Sequence, residues 1–379
     1  MTDASVLVAE LNITSQWRAA FGSVPRHIFL PGRSWIPDEH GEMVPIDRDQ
    51  DIGRWMGLAY SDIYFVTQVD DGVTSWPDNG KASSSSSMPS VMLTMLDALD
   101  VEDRMRVLEI GTGTGYNAAI LSHRLGADRV TSVEVDPGVA ATAASSLKIA
   151  GHPVTVVCGD GAMGYARGAP YDRVLATCAV IGEVPYSWIE QTSPGGLVVA
   201  PWGTPYRRSA LLRLRVSADG TACGRFVEGV YLSFMPMRAQ RMASLPDDPE
   251  GDPDMITATA LSPAELRQTA LVFDGSFAIG LRVPQCRTWY ETDDEHGYWH
   301  TIGFADAESG SSAILNADPN EPDIVVKQWG PRRLWDEVEV AYQWWVSEGR
   351  PRHDRFGISV QPGGQSVWLD DPSRPVLTR

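Results

Sequence analysis

From Arg106 to Tyr116 the chain reads Arg-Val-Leu-Glu-Ile-Gly-Thr-Gly-Thr-Gly-Tyr. The short apolar run Val107 to Ile110 suits a parallel strand buried on both faces. Gly111, Gly113 and Gly115 follow where a side chain would collide with anything held at the strand end, and Tyr116 to His123 then begins a helix whose first N–H groups point back into the same crevice. A second strand, Arg129 to Asp136, ends in carboxylates about 20 residues on. Asp136 is the expected N-cap of the next helix, with Pro137 at its first position. Few folds present this unit other than a doubly wound α/β sheet.

An acid at Glu134 can accept hydrogen bonds from a ribose diol, as dinucleotide sites require. The dinucleotide fingerprint is G-x-G-x-x-G, however. Here the glycines alternate, and Glu109 precedes the first by two residues. A carboxylate there suits a cationic, amino-acid-bearing ligand better than a pyrophosphate, so the spacing favours S-adenosylmethionine over NAD. A tight strand-to-helix turn without a ligand is the alternative.

The stretch Val107 to Ala119 resembles motif I of class I methyltransferases, and specifically of protein L-isoaspartyl O-methyltransferases. Val24 to Pro31, Ala59 to Asp62, Ser83 to Met95, Gly159 to Gly161 and Tyr171 to Thr177 agree in the same order, so the likeness runs from about residue 15 to about 237. It implies a Rossmann-like sheet preceded by a helical segment. The cofactor site it implies comprises Glu109, Gly111, Thr112, Gly113, Gly115, Asn117, Glu134, Val135, Asp160 and Gly161, with Asp160 receiving the adenine amino group. S-adenosylhomocysteine would be the product.

Lys81 to Ser90 holds five consecutive serines. They read either as flexible linker or as the entrance to the helix Met88 to Leu99, where hydroxyl and backbone donors can hold a carboxylate. In the resembled family this segment is Thr-Ile-Ser followed by Gln-Pro or Ala-Pro, and its serine is the active-site residue. Aligned on Pro89, that serine is Ser87, with Ser85 in place of threonine and Ser86 in place of isoleucine. Ser84 to Ser87 are therefore the expected catalytic segment, and the all-serine departure speaks against ordinary isoaspartyl specificity.

Other stretches read more plainly. Residues 5 to 22 suit one amphipathic helix, 32 to 58 a loop, Tyr60 to Val69 a strand, and Phe226 to Met237 the last strand of the sheet. His27 lies in a proline-bracketed segment and is expected to be structural. Cys158, Cys178, Cys223 and Cys286 fall singly, without zinc spacing, and are expected as small buried residues.

The methyltransferase is expected over 1–241. An acidic, proline-rich linker follows over 242–261, and then a smaller α+β domain over 262–379 that could recognise a peptide substrate. In that domain Pro263 to Thr269 should be a helix capped by Ser262, and Phe277 to Val283 a strand. Further strands are expected near Trp299, Ser312 and Ile324, then a helix from Arg332 to Ser347 and a hairpin across Pro362-Gly363-Gly364. Trp335, Val338, Tyr342 and Trp345 share one helix face, which is core packing or, in the alternative, a peptide-docking surface.

A formal charge of −18 argues against a nucleic-acid partner. It also sets a tension with a carboxylate substrate, which local cations near Arg26 or Arg54 and the sulfonium itself would have to offset. No apolar run reaches the ~18 residues of a membrane span, which points to a cytoplasmic protein, monomeric or weakly self-associating. Such an architecture resembles the methyltransferases that act on ribosomally made, modified peptides such as graspetides, lanthipeptides and lasso peptides. There a specific L-Asp of the precursor is esterified and closes to an aspartimide. Isoaspartyl repair is the second reading, and a noncatalytic peptide-binding protein the third.

Overall fold

The structure, a computed structural model, describes residues 4–11, 13, 15–207, 209–244, 249, 251–292, 299–316 and 324–378. Part of the expected linker lies outside them. The segment expected as one N-terminal helix is two, α1 (Ala4–Glu10) and α2 (Ser15–Ser23). Leu7, Trp17 and Phe21 are fully buried, so both helices pack inward despite the break.

The region from 32 to 58, expected as loop, carries β1 (Arg33–Pro37), β2 (Met43–Asp47) and α3 (Ile52–Ala59). Five-residue strands containing prolines show too little alternation to be read. They form because Ile36, Ile46, Trp55 and Phe65 bury one another in a small separate cluster. β3 (Phe65–Val69) and β4 (Ala82–Ser86) complete a four-stranded antiparallel layer in the order β2-β1-β3-β4. The serines are therefore neither linker nor helix cap: Phe65 pairs with Ser86 and Val66 with Ser85. α4 (Pro89–Leu99) follows with Met88 at its N-cap and no side-chain cap bond. The first-turn N–H of Ser90 instead bonds the Asp62 carboxylate at 2.9 Å.

The central sheet is built on β5 (Val107–Ile110), all four of whose residues are buried. After it come α5 (Tyr116–Leu125), β6 (Val130–Glu134), α6 (Pro137–Ile149), β7 (Thr155–Cys158), β8 (Tyr171–Ala176), the short β9 (Val180–Ile181), α7 (Tyr186–Glu190), β10 (Thr192–Gly203), β11 (Ala210–Val216) and β12 (Ala222–Tyr231). Strands β7, β6, β5, β8 and β10 run parallel, and β11 and β12 return antiparallel. Asp136 caps α6 as its sequence position demands, accepting from the N–H of Gly138 and Val139 at 2.9 and 3.0 Å. β12 stops at Tyr231, and Met237 lies beyond it on a segment bridged to the sheet between Ala179 and Pro236.

C-terminal to this lie β13 (Met255–Thr259), α8 (Pro263–Ala270), α9 (Phe273–Gly280), β14 (Arg287–Thr292), β15 (Trp299–Asp306), β16 (Ser311–Asn316), β17 (Ile324–Trp329), α10 (Leu334–Ser347), β18 (Phe356–Gln361), β19 (Gly364–Leu369) and β20 (Pro375–Thr378). Ser262 forms the expected cap as a full capping box with Glu265. Phe277 to Val283, expected as a strand, lies in and just beyond α9: a continuously apolar run has no period to separate strand from helix.

β13 to β17 make a five-stranded antiparallel sheet, whereas β18 to β20 extend the central sheet through β12. Phe277 of α9 packs against Phe226 of β12 and Trp202 of β10, with ring centroids 5.0 and 6.1 Å apart. The C-terminal third thus shares both hydrogen bonds and core with the sheet that precedes it. Trp335, Val338, Tyr342 and Trp345 are all buried in that core, which removes them as a docking surface. Of the cysteines only Cys286 is fully buried; Cys158 and Cys223 are exposed at strand positions near sheet edges or grooves.

Candidate functional site

A cavity opens at the C-terminal ends of β5, β6 and β8, the place where open α/β sheets bind ligands. The serine strand, the glycine turn, Glu134, Val135, Asp160, Gly161 and the segment 234–241 line it. Of the expected cofactor residues, Gly111, Thr112, Gly113, Asn117, Glu134, Val135, Asp160 and Gly161 reach the wall, and Glu109 and Gly115 lie behind it.

Gly113 shows why the turn needs glycine. Its φ is +53°, and a Cβ there would stand 3.1 Å from the backbone carbonyl oxygen of Ser85. The serine strand is thus laid directly on the glycine turn, and the two form opposite walls of one crevice. Gly115 serves packing instead: at φ +88° its missing Cβ leaves room for Leu147 of α6.

Strand pleating divides the serines. Ser84 and Ser86 are buried, whereas Ser83, Ser85 and Ser87 are half-buried. Ser84 Oγ accepts from Thr67 at 3.3 Å, and Ser83 Oγ donates to Gln68 at 2.8 Å. The buried Ser86 hydroxyl has no hydrogen-bond partner. Arg26 anchors the end of the strand from behind. Its fully buried guanidinium donates to the carbonyls of Ala59, Ser61, Ile63 and Ser87, at 3.2, 3.0, 2.8 and 3.0 Å. Burial pulls its pKa down to about 10. Arg26 is therefore a structural tie and not an open attractant for a substrate carboxylate. His27 is structural too, with Nδ1 2.7 Å from the Tyr60 hydroxyl.

Beneath the turn Glu109 is completely buried. Asn117 donates to one oxygen at 2.6 Å and Ser132 to the other, while Ser132 and Thr112 hydroxyls meet at 2.7 Å. Burial nevertheless lifts the Glu109 carboxyl to about 7, against those two hydrogen bonds and with the help of the Glu134 charge. Glu134 accepts from the N–H groups of Gly113 and Asp136 at 2.9 and 3.1 Å. Each carboxylate oxygen keeps a second lone pair, so acceptor capacity remains at the cavity wall. Val135, beside it, is an apolar side chain 40% exposed, and Asp160 caps its own turn by accepting from Ala162 N–H at 2.9 Å. An exposed apolar face between two acids is a surface on which a purine can lie.

Cys178 also lines the cavity, and burial, then the Glu134 charge, push its thiol up to about 12. It stays protonated at neutral pH and is a poor nucleophile.

The sequence did not point to the strap that closes the site. Arg238 donates to Asp136 at 3.0 Å and to Gln68 at 3.2 Å, and Arg241 grips the Asp71 carboxylate with both terminal nitrogens. Both arginines lie on the cavity wall, and both are ion-paired. Burial alone would raise Asp136, but hydrogen bonds from Val139, Gln68, Arg238 and Gly138 outweigh it and hold the group low. These partners come from β3, the turn after it, α6 and the segment after Met237, so only the fold brings them together.

Among the described residues no helix is long and apolar enough to cross a membrane. Residues 42–241 match the family described as protein-L-isoaspartate(D-aspartate) O-methyltransferase (PCMT). Protein-L-isoaspartate O-methyltransferase 2 of Archaeoglobus fulgidus is 31% identical over 239 residues, spanning 62% of this chain and 91% of that protein. Protein-L-isoaspartate O-methyltransferase of Xanthobacter autotrophicus is 39% identical over 151 residues, 40% of this chain and 68% of the relative. A solved structure of a protein-L-isoaspartate O-methyltransferase superposes over 97% of this chain and 100% of its own, with a TM-score of 0.54 at 21% identity, a likeness of fold.

Proposed function

Because the chain belongs to the protein-L-isoaspartate(D-aspartate) O-methyltransferase family, and is thereby an S-adenosylmethionine-dependent carboxyl O-methyltransferase, we propose that it esterifies one L-Asp side chain of a ribosomally made, modified precursor peptide. S-adenosylmethionine, when bound, supplies an electrophilic methyl group and a neutral sulfide as leaving group. The chain's own residues bind and position. Glu134 receives the ribose, Val135 and Asp160 flank the adenine, and Gly111, Thr112, Gly113 and Asn117 form the floor over Glu109.

An aspartate carboxylate is already anionic at neutral pH, so the transfer needs no strong base, and alignment carries the rate. Ser85 and Ser87 present hydroxyls to that carboxylate, while Ser84, bonded by Thr67, and Ser86 lie on the strand's covered side. The strap of Arg238 and Arg241 excludes water. The ester formed this way is open to attack by the following backbone nitrogen, which gives an aspartimide.

The observation that carries the dedicated-peptide reading is the all-serine strand: Ser86 puts a partnerless hydroxyl where the family's pattern has isoleucine. The region 262–379, proposed as the peptide-recognition part, is consistent with a larger substrate. Isoaspartyl repair is the second reading, favoured by the hydroxyls kept at Ser85 and Ser87 and by the names of the relatives.

Labelled S-adenosylmethionine offered with an isoaspartyl peptide and with a cyclised, Asp-containing precursor peptide separates them. Transfer to the precursor alone supports the dedicated enzyme, and transfer to the isoaspartyl peptide alone supports repair. Absence of transfer to either would overturn both.

A further inference from the structure

A second groove lies on the flank of the sheet, at the far end of α4 from the serine strand. Arg213, Arg215 and Arg225 stand over it, with Ala98, Leu197 and Val227 among the residues beneath. The three arginines come from neighbouring strands, and Arg213 lies directly opposite Arg225 across the β11–β12 pair. Like charges so placed are destabilising. In a chain of net charge −18 such a cluster has no general solvation purpose.

The guanidinium groups are held largely by backbone carbonyls. Arg215 donates to the carbonyl of Gly195 at 2.9 Å. Arg225 donates to the carbonyls of Arg355 and Asp370 and lies 4.8 Å from the centre of the Trp368 ring, fixed in place without a direct carboxylate bond, though the Asp370 and Asp371 carboxylates are near enough to feel its charge. Only Arg213 meets a carboxylate, Asp100, at 3.3 Å. That pair is exposed on both sides, its Arg213 Nε–H is buried without a partner, and an incoming anion can replace Asp100 at little cost. Asp97, the other acid at the groove, accepts from Gln16 at 3.3 Å.

We propose that this groove docks an acidic, extended segment of the peptide substrate, carboxylates on the three arginines and an apolar side chain on the partly exposed Ala98 and Val227. The assignment rests on the peptide-methylating function above and specifies what the peptide must carry. α4 begins at the serine strand and ends at the groove, and its 11 residues separate the two by about 16 Å at ~1.5 Å per residue. An extended chain covers that distance in about five residues. The acidic segment must therefore lie at least that far along the peptide from the methylated Asp.

The test uses the full chain and a fluorescein-labelled decapeptide with four acidic residues around one Leu and one Phe. Its anisotropy should show binding that weakens with salt and falls about tenfold or more in Arg213→Ser/Arg215→Ser. Calorimetric affinity for S-adenosylhomocysteine, which reports folding, should stay unchanged. Equal binding by the variant, equal binding of a decapeptide with Lys for each acid, or tighter binding of an oligonucleotide duplex overturns the proposal.

In a second arm, Asp-containing precursors carry the acidic segment either two or eight residues from the Asp. The longer spacing should give the lower KM, and the double variant should erase the difference. Methylation indifferent to spacing and to the arginines sinks the groove and leaves the enzyme's function standing. Arginine-dependent probe binding without methylation of any peptide does the reverse.

Discussion

Glu109→Gln isolates the cost of placing a carboxyl under the glycine turn. The folded protein holds the Glu109 proton up to about pH 7, whereas an unperturbed glutamate releases it near 4.5. Between those values the native state binds more protons than the unfolded chain. The group's contribution is thus intact below the lower value and is lost as pH rises through the upper one. A displacement of ~2.5 units corresponds to about 3 kcal/mol at ~1.36 kcal/mol per unit. Glutamine cannot ionise and escapes this loss; its amide can still face Ser132 and Asn117, so any change in hydrogen bonding adds an offset that does not vary with pH. Urea denaturation of wild type and variant from about pH 4.5 to about pH 8 should therefore show the variant gaining about 3 kcal/mol relative to wild type across the range. Parallel pH profiles, with a difference constant to within about 0.5 kcal/mol, would refute the argument that burial dominates at this site.

Ser87→Ala should lower methylation about tenfold or more through lost alignment, with S-adenosylhomocysteine affinity nearly unchanged by calorimetry; a collapse of that affinity would move Ser87 into the cofactor site. Arg26→Met strips the donor from four carbonyls, Ser87 among them, and should cost on the order of 3 kcal/mol in denaturant unfolding together with a raised KM. Asp71→Asn loosens the grip on Arg241 and Arg238; stability should change by less than about 1 kcal/mol. Release of S-adenosylhomocysteine in stopped flow should quicken several-fold, and an unchanged rate would deny the strap a part in retaining the ligand.

The core of the enzyme was legible along the chain because each piece of it is local. A buried strand, a glycine turn, a capped helix and a second strand ending in acids are set by residues within a few positions of one another, and the structure assembles them as Val107–Ile110, α5, Asp136 and Glu134. The capping box at Ser262 and the C-terminal hairpin were legible on the same ground. Short strands such as β1 and β2 were not, since five residues that include a proline carry almost no period. α9 was missed because a helix buried on all sides is apolar on all sides.

The serine run exposes the division most sharply. Its composition marked the place, but its shape came from pairing with Phe65 and Val66, and its depth from Arg26 reaching the Ser87 carbonyl across 61 positions of sequence. Chemistry that resides in consecutive residues, the glycines and the acids that line the cavity, was determined by the sequence alone. The closing strap, the arginine groove and the addition of β18 to β20 to the central sheet were decided only by the tertiary structure. Each joins segments far apart in the chain, whose mutual attraction exists only after the core has brought them within a few ångströms.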